Sequence, residues 1–334
     1  MAMSKQKLTL IGCGGGGTNL VMSYMRRPNN LVGQADTRGY IVDTSFSNAA
    51  EVGNFGDREK MDMYIFDDVN GAGKERVALA KVVPPRIPSI VAEMPIGDFN
   101  IVVFSLSGGS GSVIGPCIVR QLLDQNKPVV ALVIGSSESA ITATNTLATL
   151  RTLAKQSTLA EKPLIIRYFE NNGPRANTDE EVLSTITSLS ILFSGENTEM
   201  DYTDLKNFLN FSNVTSCAPE IATLEIFTDL ETLTGETKYP IALATLSTVP
   251  SYDETENTKA GVLPDYYCNG FAQVDPKLVT TERLHFAITV DSLEDMVKHV
   301  QSVATAATKH RDARRGTPSF LTGNEEADDD GMIY

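Results

Sequence analysis

The 334-residue chain has no tryptophan, three histidines and four cysteines, and its 28 Lys and Arg are outnumbered by 42 Asp and Glu. Each shortage excludes something. A net charge of −14 leaves no diffuse basic surface for nucleic acid, whose backbone needs lysine and arginine to displace its counterions. His285, His299 and His310 are too few for a histidine-based metal site. Cys13, Cys117, Cys217 and Cys268 form no C-x-x-C pair and read as reduced thiols of a cytosolic protein. No apolar run is long enough to span a bilayer, and the N-terminus has no signal-peptide core. The expectation is a soluble, cytoplasmic chain that binds neither membrane nor nucleic acid directly. A P-loop is missing too: the chain has no G-x-x-x-x-G-K-[ST], and Gly73-Lys74 is followed by Glu75.

Glycine, by contrast, is concentrated. In KLTLIGCGGGGTNL a short apolar strand runs into Gly12, Cys13, Gly14, Gly15, Gly16 and Gly17, and a helix carrying Asn19 follows. A helix N-terminus offers unpaired N–H groups and partial positive charge, and glycines let a phosphate approach them closely. Gly12, Gly14 and Gly17 fit G-x-G-x-x-G, which by itself suggests an NAD(P)-dependent oxidoreductase with Asp36 or Asp43 downstream. A second strand, NIVVFSL, delivers Ser107, Gly108, Gly109, Ser110, Gly111 and Ser112 to another helix start. One dinucleotide needs one such loop. Two loops from one sheet fit a triphosphate held between two helix N-termini, with the small turn Gly71-Ala72-Gly73 between them in sequence.

The frame around these loops is α/β. KLTLI, GYIVD, NIVVFSL, VVALVIG and LIIRYF read as buried strands of a mostly parallel sheet, with amphipathic helices between them. Residues 178–194 read as one helix, capped by Thr178 with Glu181 completing a capping box. IATLEIF, PIALATLS, GFAQVD and LHFAITV read as strands of a second, smaller α/β domain, and Ser292 to Arg315 as a last helix. The chain ends in NEEADDDGMIY, a composition that has no packing demand of its own.

Taken in order, these motifs resemble the tubulin/FtsZ superfamily. S-G-G-S-G-S is similar to its signature G-G-G-T-G-[ST]-G, and I-G-C-G-G-G-G-T-N to its first nucleotide loop. Asp201-Tyr-Thr-Asp204, after the long central helix, resembles its synergy loop. The tubulin homologues of large phages share S-L-x-G-G-S-G-S, the turn at Asp43-Thr44 and the acidic end D-x-D-G-M. The resemblance implies a Rossmann-type parallel-sheet GTPase domain over 1–175 and a central core helix over 176–196. A synergy loop and second α/β domain follow over 197–291, a C-terminal helix over 292–316 and an extended acidic tail over 317–334.

It further implies a GTPase (GTP to GDP and phosphate) that polymerises head to tail into dynamic filaments. Mg²⁺ would be held through the phosphates, with no direct protein ligand. Gly12, Cys13, Gly14, Gly15, Gly16 and Asn19, Gly71, Ala72 and Gly73, and Ser107 to Ser112 would surround the phosphates, with Asp43 and Thr44 near the metal. Glu138 matches the acid that accepts from the ribose, though it also reads as an ordinary loop carboxylate; Asn145 is a second candidate. Asp179 matches the guanine-contacting position, with Asn177 as its neighbouring alternative, and equally suits any first helical turn. Asp201 and Asp204 would complete catalysis on the adjacent subunit's nucleotide, and they also fit a plain N-cap. Asp328, Asp329, Asp330, Met332, Ile333 and Tyr334 would tether to the neighbouring subunit, on Lys309, Arg311, Arg314 and Arg315. The phage role implied is positioning a DNA compartment or capsids in the host cytoplasm. Ser107, Ser110 and Val113 depart from the signature, and Thr142 stands where FtsZ has an arginine near the ribose. The remaining alternative is an adaptor that binds nucleotide without polymerising.

Overall fold

The computed structural model describes residues 5–28, 31–50, 60–69, 76–171, 173–237, 240–249 and 264–315. The strands are β1 (Lys7–Cys13), β2 (Asp36–Asp43), β3 (Met61–Ile65), β4 (Phe99–Ser105), β5 (Val129–Gly135), β6 (Leu164–Glu170), β7 (Asn197–Thr198), β8 (Ile221–Phe227), β9 (Ala242–Ser247), β10 (Tyr266–Ala272) and β11 (Arg283–Thr289). The helices are α1 (Gly14–Met25), α2 (Phe46–Ala49), α3 (Leu79–Val82), α4 (Ile87–Glu93), α5 (Gly111–Asp124), α6 (Ala140–Ala160), α7 (Arg175–Leu192), α8 (Tyr202–Leu209), α9 (Leu230–Glu236) and α10 (Asp291–Arg315).

The strands form one sheet in the order β3-β2-β1-β4-β5-β6-β8-β11-β9-β10-β7. From β3 to β8 every pairing is parallel. That geometry explains the composition of β1, β4 and β5, which are almost wholly buried runs of Leu, Ile, Val and Phe: both faces are covered by helices. The chain leaves β1 for β2 on one side and returns to β4 on the other. The strand order therefore reverses at β1 and β4, where open α/β sheets place their ligands beyond the strands' C-terminal ends.

One face packs against α1 and α7, with Leu8, Leu10, Val21, Ile186 and Leu189 in one apolar cluster. The other packs against α4 and α5, with Ile11, Val102, Ile114 and Ile118, and meets Leu293 and Val297 of α10. At the N-terminal edge of the sheet the rings of Phe99 and Phe193 stack at 4.3 Å.

Three sequence expectations change. The central helix begins at Arg175 with Pro174 as N-cap residue, not at Thr178. Proline has no N–H to leave unpaired and holds a helix-compatible φ, so it opens the helix a turn earlier. Asn177 N–H donates to Pro174 O at 3.0 Å, and Thr178 lies buried inside the helix instead of capping it. The strands of the expected second domain continue the first sheet, because β8 pairs with β6 from Leu164 opposite Ile221. The edge strand β3 was not expected: MDMYI has one β-branched residue and is mostly half-exposed.

His285 on β11 is buried, its Nδ1 sharing a hydrogen bond with Thr245 Oγ1 at 2.9 Å. Nε2 has no partner among the described residues. Burial and the Arg283 charge push the imidazole down to about 4. Between the unfolded value and this one, the unfolded chain binds the extra proton, so stability falls as pH drops from about 6.5 towards 4. We expect this residue alone to remove on the order of 3 kcal/mol across that window. Urea unfolding at stepped pH should show His285→Gln with a flatter profile there, and an unchanged slope would refute the assignment.

Candidate functional site

At the strand reversal the two glycine turns lie against each other. β1 passes directly into α1, with Cys13 in extended conformation and Gly14 at φ +66°. A Cβ on Gly14 would stand 2.5 Å from Gly111 N, so the turns meet backbone to backbone. The second turn, between β4 and α5, is held from within: Ser112 Oγ donates to Gly108 O at 2.5 Å and to Gly109 O at 3.0 Å. From α6, Asn145 Nδ2 donates to Ser107 O (3.2 Å) and Thr149 Oγ1 to Leu106 O (3.0 Å). Thr44 Oγ1 and Ser110 Oγ share a hydrogen bond of 2.6 Å, joining the loop after β2 to the same turn. Arg76 donates to Ser112 O at 3.4 Å.

A cavity of about 400 Å³ opens on these turns. One end is lined by Gly15, Gly16, Asn19, Asn48, Ser105 and Gly108, the other by Asn171, Arg175, Thr178 and Asp179. The volume is that of a small-molecule site. The glycine end joins the backbone at the start of α1 and of the second turn to the polar residues Asn19, Asn48 and Ser105, and so suits an anion. At the far end, Asn171 Oδ1 is a buried acceptor with no partner among the described residues, and Asp179 pairs with Arg175 at 3.4 Å. That wall suits a ligand carrying N–H donors. A somewhat larger cleft, about 450 Å³, lies between α7, β8 and residues 276–281, but neither glycine turn lines it, so the chemistry belongs to the first cavity.

The expected residues divide. Gly15, Gly16, Asn19, Gly108 and Asp179 line the cavity. Asn145 and Ser112 act on the second turn's own backbone. Cys13 is buried, and burial pushes its thiol well up. Asp43 is buried as well, and burial raises its carboxyl against the hydrogen bonds from Asn48, Thr44 and Ser45 that lower it. Glu138 and Asn177 are exposed and do not line the cavity, and Thr142 forms a capping box with Ser139 at the start of α6. Gly71, Ala72 and Gly73 and the tail from 316 to 334 lie outside the described residues. So do the side chains of Arg311, Arg314 and Arg315 in the last turns of α10. Asn48, Asn171 and Arg175 were not anticipated. Their signal was position: each follows the C-terminal end of a parallel strand, as ligand-binding residues of such sheets do.

Asp201 and Asp204 open α8. Asp201 Oδ1 accepts from Thr203 N–H (2.6 Å) and Asp204 N–H (3.0 Å), and Asp204 Oδ2 accepts from Asp201 N–H at 2.9 Å. Tyr266 OH donates to Asp204 Oδ1 at 3.4 Å. Between them, Tyr202 packs on Phe99, the first residue of β4, whereas Ser105, the last, lines the cavity. The axis of α7 tells the same story. It starts in the cavity wall at Arg175, and the chain just beyond its end, at Ser194 O, accepts from Gln6 N–H at the start of β1. At 1.5 Å per residue this helix spans roughly 27 Å. The two aspartates and the cavity thus occupy opposite ends of one chain.

No family model matches the chain. The phage tubulin-like protein of Pseudomonas phage phiKZ is 30% identical over 266 residues, 79% of this chain and 79% of that protein. A structure described as the protofilament of TubZ from bacteriophage PhiKZ matches with a TM-score of 0.80 at 27% identity, covering 98% of each chain. The structure of the phage tubulin PhuZ with GDP matches with a TM-score of 0.81 at 24% identity, again over 98% of each. No helix among the described residues is long and apolar enough to cross a membrane. With that identity sustained over about four-fifths of both chains, this chain belongs to the phage tubulin-like family.

Proposed function

We propose that the chain binds GTP in the cavity beside the glycine turns, polymerises head to tail, and hydrolyses GTP in the polymer. Asp201 and Asp204 of one subunit would complete the nucleotide site of the next. One observation carries this reading: the carboxylates lie a full α7 length from the cavity, so they can reach a nucleotide only on another copy. The GDP in the PhuZ relative supports a guanine nucleotide, and the protofilament formed by the TubZ relative supports assembly.

The geometry suits the chemistry. The glycine turns would hold the phosphates through backbone N–H groups, and Asp179 with Asn171 would accept from the guanine N–H groups. Hydrolysis needs a water placed in line with the leaving oxygen. That water attacks the γ-phosphorus, the bond to the β–γ bridging oxygen breaks, and GDP and phosphate leave. Asp204 and Asp201 would orient the water. Asp43 is turned towards Thr44 and Asn48, so Mg²⁺ fits here through phosphate oxygens, where it would neutralise their charge.

Assembly of this kind uses two different surfaces and does not close on itself, so it generates filaments. Exposed apolar residues of the kind such a contact needs include Phe46, which follows β2, and Ile141, which follows β5, at 66% and 59% exposed. The acidic tail, with Asp328, Asp329 and Asp330 before Met332, Ile333 and Tyr334, would tether to the basic end of α10 on the neighbouring subunit. The cellular role we assign on the family resemblance is positioning phage DNA compartments or capsids in the host cytoplasm.

We expect GTPase activity per subunit to rise above a threshold concentration, together with light scattering. Asp204→Asn keeps an acceptor for the α8 cap, so it should still scatter while losing hydrolysis by on the order of 100-fold. Activity independent of concentration would refute the shared site. Nucleotide binding with neither polymer nor hydrolysis would instead favour an adaptor. Deleting residues 324–334 should raise the critical concentration for assembly, and an unchanged value would remove the tether from the reading.

A further inference from the structure

Asn48 belongs to neither glycine turn. It sits on α2, just past the end of β2, and its side chain lines the cavity above the start of α1. The approach is close: a Cβ on Gly15 would stand 2.8 Å from Asn48 Nδ2. That nitrogen donates to Asp43 Oδ2 at 2.9 Å. The other carboxylate oxygen, Oδ1, accepts from Thr44 N–H at 2.6 Å, and the Thr44 hydroxyl bonds Ser110. Asp43 itself is 0% exposed and does not line the cavity.

These facts separate two roles that the sequence had merged. A carboxylate is an acceptor only, so it fixes which end of the Asn48 amide faces it: the NH₂ end must. An amide NH₂ has two hydrogens. One goes to Asp43, and the other remains for the cavity that the side chain lines, beside the backbone N–H groups of α1.

We infer that Asn48 donates a hydrogen bond to a phosphate oxygen of the bound nucleotide, and that buried Asp43 is the positioning residue that orients its amide. The inference rests on the nucleotide reading above. Asp43 then acts through Asn48 and Thr44 and touches neither phosphate nor metal. A buried acid in the wall behind the phosphates is tolerable because the Asn48 amide and the Thr44 and Ser45 N–H groups hold its charge inward, away from the ligand.

The test exchanges the pair. Equilibrium binding of GTP and of guanosine, and thermal unfolding of the nucleotide-free chain, are measured for wild type, Asn48→Ala, Asn48→Asp and the double variant Asp43→Asn/Asn48→Asp. Asn48→Ala should lose about tenfold in GTP affinity, the worth of one hydrogen bond, and keep its guanosine affinity. Asn48→Asp should lose both stability and GTP affinity, because two carboxylates then face each other. The double variant restores one acid and one amide. It should regain wild-type unfolding temperature yet remain at least about tenfold weak for GTP, since an acid now faces the phosphates. Full recovery of GTP affinity in the double variant would make Asn48 only a loop latch and overturn the inference, as would unchanged GTP affinity in Asn48→Ala. A wild type that binds guanosine but gains nothing from the phosphates would also overturn it. A wild type that binds neither would overturn the nucleotide reading itself.

Discussion

Where β1 and β4 run side by side, with Cys13 opposite Phe104, two helices start from adjacent strand ends. That parallel pairing is what the rest of the site depends on. It puts the N-termini of α1 and α5 in one place and lets their turns pack with no side chain between them. A chain of net charge −14 can then hold an anion without a lysine-rich loop, because the attraction comes from oriented N–H dipoles. Serine, threonine and asparagine side chains stiffen these turns: Ser112, Asn145 and Thr149 bond the second turn's carbonyls, and Thr44 bonds Ser110.

The second constraint is the length and burial of α7. It starts in the cavity wall, runs under the sheet packed by Val182, Ile186 and Leu189, and delivers the chain to the opposite edge, where α8 begins. The helix acts as a strut. It fixes Asp179 at one end and leads to the α8 cap at the other, so that the cavity wall and the two capping aspartates stand apart by the length of the helix. The capping bonds of Asp201 and Asp204 hold two carboxylates still at the start of α8.

Much of this was legible in the chain alone. Alternating apolar runs and amphipathic stretches identified β1, β2, β4, β5 and β6, because strands buried on both faces leave a continuous β-branched signal. The half-exposed edge strand β3 left no such signal. The paired glycine turns argued for phosphates over a single-loop dinucleotide fold, and family membership sets the oxidoreductase reading aside. The start of α7 was missed because Thr178 and Glu181 imitate a capping box that Pro174 pre-empts.

Composition, periodicity and the order of motifs are local properties, and they determined the α/β class, the glycine turns and the two aspartates. Tertiary structure decided which polar groups face the cavity. Asp43 at the end of β2 and Asn48 on α2 lie five residues apart, yet burial turns the acid inward and leaves the amide at the wall. Glu138 lies exposed at a strand end while Asn171, at the next, enters the cavity. The direction of a side chain at the end of a strand depends on the helices and loops packed around it, and those contacts are distant in sequence.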